Sequence, residues 1–305
     1  MTGANDGGAL LATGLKLRGL RTLTAIATLA IFVVVSPILF SSAVAQTFVC
    51  RLVTSHDAAD RLPLLLGIGA AVLVVALLTL AGLPTSLTLA VIGGITGAGL
   101  GYGLPISLTA AAVVLAVGMA APFVGALLGY LIARVAELIP ARRSIPVTVT
   151  RLHRSAFALQ CLAYGINDGQ KMLAVLVIAL GTGISTADPG LINLLIITLF
   201  FVIGVIIGLP KVAGSLGDGL MAVRPIHAVS AEFAGAISVL SSAAVGIPVS
   251  MTQSLAGGLV GSGISQGRGR IRWLAARKIC IAWLVTLPAS ILVAAWVALL
   301  AKVVS

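Results

Sequence analysis

Apolar runs long enough to span a bilayer alternate along this chain with short polar stretches. Residues 22–40, 62–80, 104–139, 191–207 and 228–245 each approach or exceed the length of about 20 that a helix needs to cross a hydrocarbon core of about 30 Å. They do not alternate polar with apolar as membrane-barrel strands do, so helices are predicted throughout. Pro37 falls inside the first run and predicts a kink. Two shorter, glycine-rich runs, 89–100 and 255–264, each follow a full-length run after a turn, at 82–88 and 246–252. Each pair reads as a re-entrant helical hairpin whose turn is buried in protein.

One polar stretch stands out because apolar residues 157–164 and 172–184 flank it: Gly165 Ile166 Asn167 Asp168 Gly169 Gln170 Lys171. Asn-Asp-Gly favours a turn and predicts a broken helix at this point. A carboxylate among lipid-type residues persists where it lines a cavity, binds an ion or carries a proton. A near-copy, Gly3 Ala4 Asn5 Asp6 Gly7, lies 162 residues earlier. The hairpin turns repeat as well, at an offset of 164: Gly82, Pro84, Ser86 and Thr88 match Gly246, Pro248, Ser250 and Thr252. Two motif types in the same order at nearly one offset mark an internal duplication. The expected division is a first repeat at 1–139, a basic cytoplasmic linker at 140–155 and a second repeat at 156–305. No apolar helix leads into the first motif, which begins at Gly3.

Charge changes the picture in two ways. Only 9% of the residues are charged and 59% are hydrophobic, against roughly 25% charged in soluble domains, which makes this an integral membrane protein. The net charge of +11 sits in short loops, where it reports topology and not nucleic-acid binding. Lys16, Arg18 and Arg21 follow the first Asn-Asp motif, whereas the matching loop 181–190 has only Asp188. After the hairpins the contrast reverses: 101–103 is uncharged and its counterpart carries Arg268, Arg270, Arg272, Arg277 and Lys278. If basic loops are cytoplasmic, the repeats are inverted relative to each other. The fold expected is an all-α integral membrane protein of two inverted repeats, with broken helices and re-entrant hairpins, an arrangement typical of secondary transporters.

The chemistry follows from the two motif types. Ser86, Thr88, Ser250 and Thr252 stand at the starts of helical pieces, where hydroxyls and free backbone N–H groups either cap the helix or face an anion. Asn5, Asp6, Asn167 and Asp168 supply hard oxygen ligands for a small cation or a proton; Asp168 can equally pair with Lys171. Lys171 either contacts substrate or compensates Asp168. Glu232 is a second candidate for a cation or proton, unless it sits at the interface near Arg224. Gly93, Gly97, Gly257 and Gly261 have the small-xxx-small spacing of close helix contacts. His56, His153 and His227 are expected in loops, and no Ser-His-Asp set or metal-ligand cluster suggests an enzyme.

GINDGQKML, the paired GLPTSLT and GIPVSMT turns, AEFAGAISVL and the tail RWLAARKICIAWLVTLPAS together resemble the inorganic phosphate transporter (PiT) family. The resemblance covers essentially the whole chain and is closer in the second half. It implies phosphate uptake coupled to Na+ or H+ by alternating access, with no other cofactor. Asn5, Asp6, Asn167, Asp168 and Glu232 then serve the cation or proton, and Ser86, Thr88, Ser250, Thr252, Gln170 and Lys171 serve the substrate. The implied setting is multi-pass in a bacterial plasma membrane, and the long apolar spans permit a homodimer. Leu89 and Gln253 stand where the family's turns carry His, and Gly7 Gly8 Ala9 replaces its usual continuation of the first motif. These departures leave room for sulfate or a metal-phosphate complex as substrate, or for a membrane sensor or partner protein that no longer transports.

Overall fold

The computed structural model describes residues 1–15, 20–40, 42–52, 61–81, 83, 85–138, 145–180, 190–213, 219–221 and 224–304. A π-helical turn at Gly3–Gly7 opens the first half and runs into α1 (Gly8–Gly14). Next come α2 (Thr22–Leu39), with Pro37 inside it, and α3 (Ala43–Gln46), which passes into a second π turn at Thr47–Arg51. Helices α4 (Arg61–Leu80) and α5 (Leu87–Tyr102) form a hairpin, and α6 (Leu108–Leu138) ends the half. In the second half α7 (Ile145–Tyr164) leads through a π turn at Gly165–Gly169 into α8 (Gln170–Leu180), followed by α9 (Leu191–Ala213). The second hairpin is α10 (Pro225–Ala244) with α11 (Met251–Ile264), and α12 (Trp273–Val304) completes the chain. The described residues contain no strand; Met221 and Ile271 form an isolated bridge. Six of these helices are long and apolar enough to cross a membrane: α2, α4, α6, α9 through Leu209, α10 and α12.

The duplication is visible element by element. Shifting α4 by 164 residues gives the bounds of α10, and shifting the first π turn by 162 gives those at Gly165–Gly169. Both shifts are the ones at which the motifs repeat. The halves also exchange partners. Helix α5 packs on α12 and α6 on α11, while α2 packs on the Gly165–Gly169 turn and α9 on the Gly3–Gly7 turn. Lipid gives helices no hydrophobic reason to associate, so close packing over small residues has to hold them. A Cβ on Gly97 would overlap the backbone of Ile291 in α12, and one on Gly261 would overlap the Ala126 carbonyl of α6. Packing is therefore the role of these glycines.

Three expectations need correction. The Asn-Asp motifs do not break their helices; the chain stays helical through both as π turns. A turn suits Asn-Asp-Gly in water, but in hydrocarbon it would strand backbone groups, and a π turn keeps them hydrogen-bonded. Residues 145–155, assigned to the linker, are helical and open α7. The buried positions of α7 run His153, Ala156, Phe157, Gln160, Cys161, Ala163 and Tyr164, a helical stripe that turns Arg151 and Arg154 outward. Consequently His153 and His227 lie in helices and are buried, not in loops. His56, Lys16, Arg18, Gly82, Pro84 and 140–144 lie outside the described residues.

Candidate functional site

All eleven candidate residues are buried. The two Asn-Asp motifs, far apart in sequence, converge: Asp6 lies close enough to feel the charge of both Asp168 and Lys171. Each Asn reaches sideways to the hairpin turn of its own half. Asn5 Nδ2 donates to Asp6 Oδ1 at 2.8 Å and to the Thr85 carbonyl at 2.9 Å. Asn167 Nδ2 donates to Asp168 Oδ2 at 2.8 Å and to the Val249 carbonyl at 2.8 Å, and its Oδ1 accepts from Val249 N at 3.2 Å. Thr85 and Val249 are themselves related by the offset of 164. The Asn-Asp pairs thus hold both turns at one place.

Across that place the turns touch. Thr88 Oγ1, on the first, donates to the carbonyl of Val249, on the second, at 3.2 Å. Lys171 Nζ spans the junction, donating to Thr88 Oγ1 at 2.7 Å, to Asp168 Oδ1 at 2.8 Å and to the Val249 carbonyl. An ammonium has three donors, and all three are engaged here. Lys171 therefore compensates Asp168 in this arrangement. A cavity of about 300 Å³ meets Thr2, Thr88 and Lys171 and is otherwise walled by apolar side chains such as Val72, Val175 and Phe200.

The serines act as helix caps. Ser86 Oγ accepts from Leu89 N at 3.3 Å and Ser250 Oγ from Gln253 N at 3.4 Å, and Ser250 also shares a hydrogen bond of 2.8 Å with Thr252. Both α5 and α11 thereby present N-terminal partial positive charge at the junction. Ser86→Ala and Ser250→Ala are each expected to cost about 1 kcal/mol of stability, read as a lower thermal midpoint in detergent.

The halves differ at one telling position. The residue that matches Lys171 in the first half is Ala9. Among the described residues Asp6 accordingly has no lysine of its own half beside it, and Asn5 Oδ1 is buried without a hydrogen-bond partner. Those oxygens form an acceptor-rich spot suited to a small cation. Gln170 turns elsewhere: its Oε1 accepts from Val44 N at 2.9 Å and Ala45 N at 3.3 Å, fixing the start of α3. Glu232 is neither at the interface nor in the Lys171 cluster. Its Oε2 lies 2.8 Å from Nδ1 of His153, a partner the sequence reading placed in a loop. The helical stripe that His153 heads could have found it.

A family model described as "Phosphate transporter family" matches residues 2–157 and 140–294. A "Probable low-affinity inorganic phosphate transporter" of Mycobacterium leprae is 34% identical over 68% of this chain and 53% of its own length. One of the same description from Mycobacterium bovis is 31% identical over 96% of this chain and 72% of its own length. The chain thus spans only about half of the first relative and under three quarters of the second. A solved structure titled "The sodium-dependent phosphate transporter" superposes with a TM-score of 0.80, covering 99% of this chain and 96% of that one, at 17% identity. At that identity the match speaks for the fold alone.

Proposed function

The chain belongs to the phosphate transporter family, and on that footing we propose that it imports inorganic phosphate with a small cation, Na+ or H+, by alternating access. The observation that carries the reading is the single buried junction where both Asn-Asp motifs and both hairpin turns meet around Lys171. Phosphate binds between the turns, where Lys171, the hydroxyls of Thr88, Ser86, Ser250 and Thr252, and two helix N-termini answer its charge. Because every Lys171 donor is engaged, an arriving oxyanion has to take over the hydrogen bond now made to Thr88 or to Val249. Binding then parts the two turns, and the inverted repeats exchange access to the two sides.

The cation belongs at Asn5 and Asp6, whose oxygens accept no hydrogen bond from Lys171, whereas Asp168 does. Asp6 and Asp168 would repel phosphate if both stood uncompensated, so a cation beside Asp6 is what lets the anion enter. Gln170 acts here by placing α3, which packs against α8. The relatives are named as transporters, so no enzymatic step is assigned.

The test is uptake of labelled phosphate into proteoliposomes under an imposed Na+ or H+ gradient, with Asp168→Asn as comparison and sulfate as competitor. Uptake is expected to follow one gradient, to ignore sulfate and to collapse in the variant, because Lys171 loses its counter-charge. Phosphate that stays outside under both gradients rejects the reading, and competition by sulfate reassigns the substrate.

A further inference from the structure

We propose that the buried His153–Glu232 pair is a proton-binding site, separate from the Lys171 junction, whose proton ties the second helical hairpin to the end of α1. Both side chains are fully buried. His153 bridges three elements: its Nδ1 faces Glu232 Oε2 of α10 at 2.8 Å, and its Nε2 faces the carbonyl of Gly14, the last residue of α1, also at 2.8 Å.

The proton count follows from the partners. A carbonyl only accepts, so Nε2 carries a hydrogen. Contact at 2.8 Å between Nδ1 and a carboxyl oxygen needs a second proton between them, held by the imidazolium or by the acid. Either way the pair is neutral overall and holds one proton more than a neutral imidazole beside a carboxylate. When that proton leaves to water, the Nδ1 lone pair meets a carboxylate oxygen, both out of reach of solvent, and the contact has to open. Glu232 Oε1 has no hydrogen-bond partner that could take up the charge instead.

The surroundings do not supply a substitute. On α7, Cys161 and Arg154 act electrostatically on the pair. Helices α1, α2 and α11 carry no charged or titratable side chain. Arg134 and Glu137 of α6 pair with each other, and Asp168 pairs with Lys171. His227 lies further back along α10, and Lys16 and Arg18 fall outside the described residues.

The sign of the pH effect is fixed by the count. Above about pH 6.5 an unfolded chain holds neutral His and ionised Glu, one proton fewer than the folded pair, so stability falls as pH rises. Below about pH 4.3 the unfolded chain holds one more, and stability falls toward acid. Glu232→Gln keeps the contact without the titrating proton, since an amide N–H can donate to the neutral Nδ1.

The thermal midpoint of the whole detergent-solubilised chain, followed from pH 6 to 9, tests this. The wild-type midpoint is expected to drop by several degrees, and that of Glu232→Gln to stay nearly flat; parallel profiles overturn the proposal. Should the variant not fold, imidazole nitrogen NMR of the wild-type protein decides. The proton between His153 Nδ1 and Glu232 is expected as a strongly deshielded signal at pH 6 that is lost toward pH 9 while the Nε2–H stays, and its absence at pH 6 or its persistence at pH 9 overturns the proposal. Neither measurement involves phosphate, so failure of the transport reading remains distinguishable. Where uptake is active, it is expected to fall on the alkaline side together with the midpoint.

Discussion

Replacing Lys171 by methionine is expected to lower phosphate uptake by about two orders of magnitude or more while leaving the helices assembled. Two effects combine. The oxyanion loses a charge-assisted hydrogen bond worth about 1.5–3 kcal/mol, which is one to two powers of ten in affinity. Asp168 is also left buried without its cation, which loosens the junction it helps to anchor. Asp168 then stands near Asp6 with nothing between them to offset their repulsion. Uptake in proteoliposomes and phosphate binding by calorimetry both read the loss, with elution as a single species as the check on folding. Uptake within a few-fold of wild type would remove Lys171 from the substrate path.

Gly261→Leu is expected to prevent assembly altogether. At this position α11 touches the α6 backbone at the Ala126 carbonyl, and Gly257 makes the same approach to Pro122. The obstructing atoms are backbone, which cannot swing aside as a long side chain can. Destabilisation beyond about 4 kcal/mol is therefore expected, enough to erase a monodisperse peak in size-exclusion chromatography. Gly69→Leu is the control, because a Cβ there meets nothing within 4 Å, and it should behave as wild type. Equal behaviour of the two variants would refute the close α6–α11 contact.

Much of this was readable from residue type and spacing. The length of the apolar runs announced the spanning helices, and the Pro-x-Ser-x-Thr turns announced capped starts for α5 and α11. Small residues every fourth position announced helix contact. What escaped were features that depend on the medium or on distant partners. Asn-Asp-Gly reads as a turn by its preferences in water, and only the demand that backbone stay bonded in hydrocarbon turns it into a π turn. His153 sits between Arg151 and Arg154, so local polarity pointed to a loop, while its partner Glu232 is 79 residues away. The matching of Ala9 with Lys171 was open to inspection, but its meaning required seeing both motifs at one junction.

The exchange of partners between halves carries a consequence for biosynthesis. Helix α5 packs on α4 of its own half but equally on α12, which is made long after it, and the Gly3–Gly7 turn waits for α9. The first half must therefore linger in the bilayer with glycine-lined grooves unfilled until the second is made. Separately expressed halves are expected to be short-lived in the membrane and to persist when made together, which pulse-chase labelling would check.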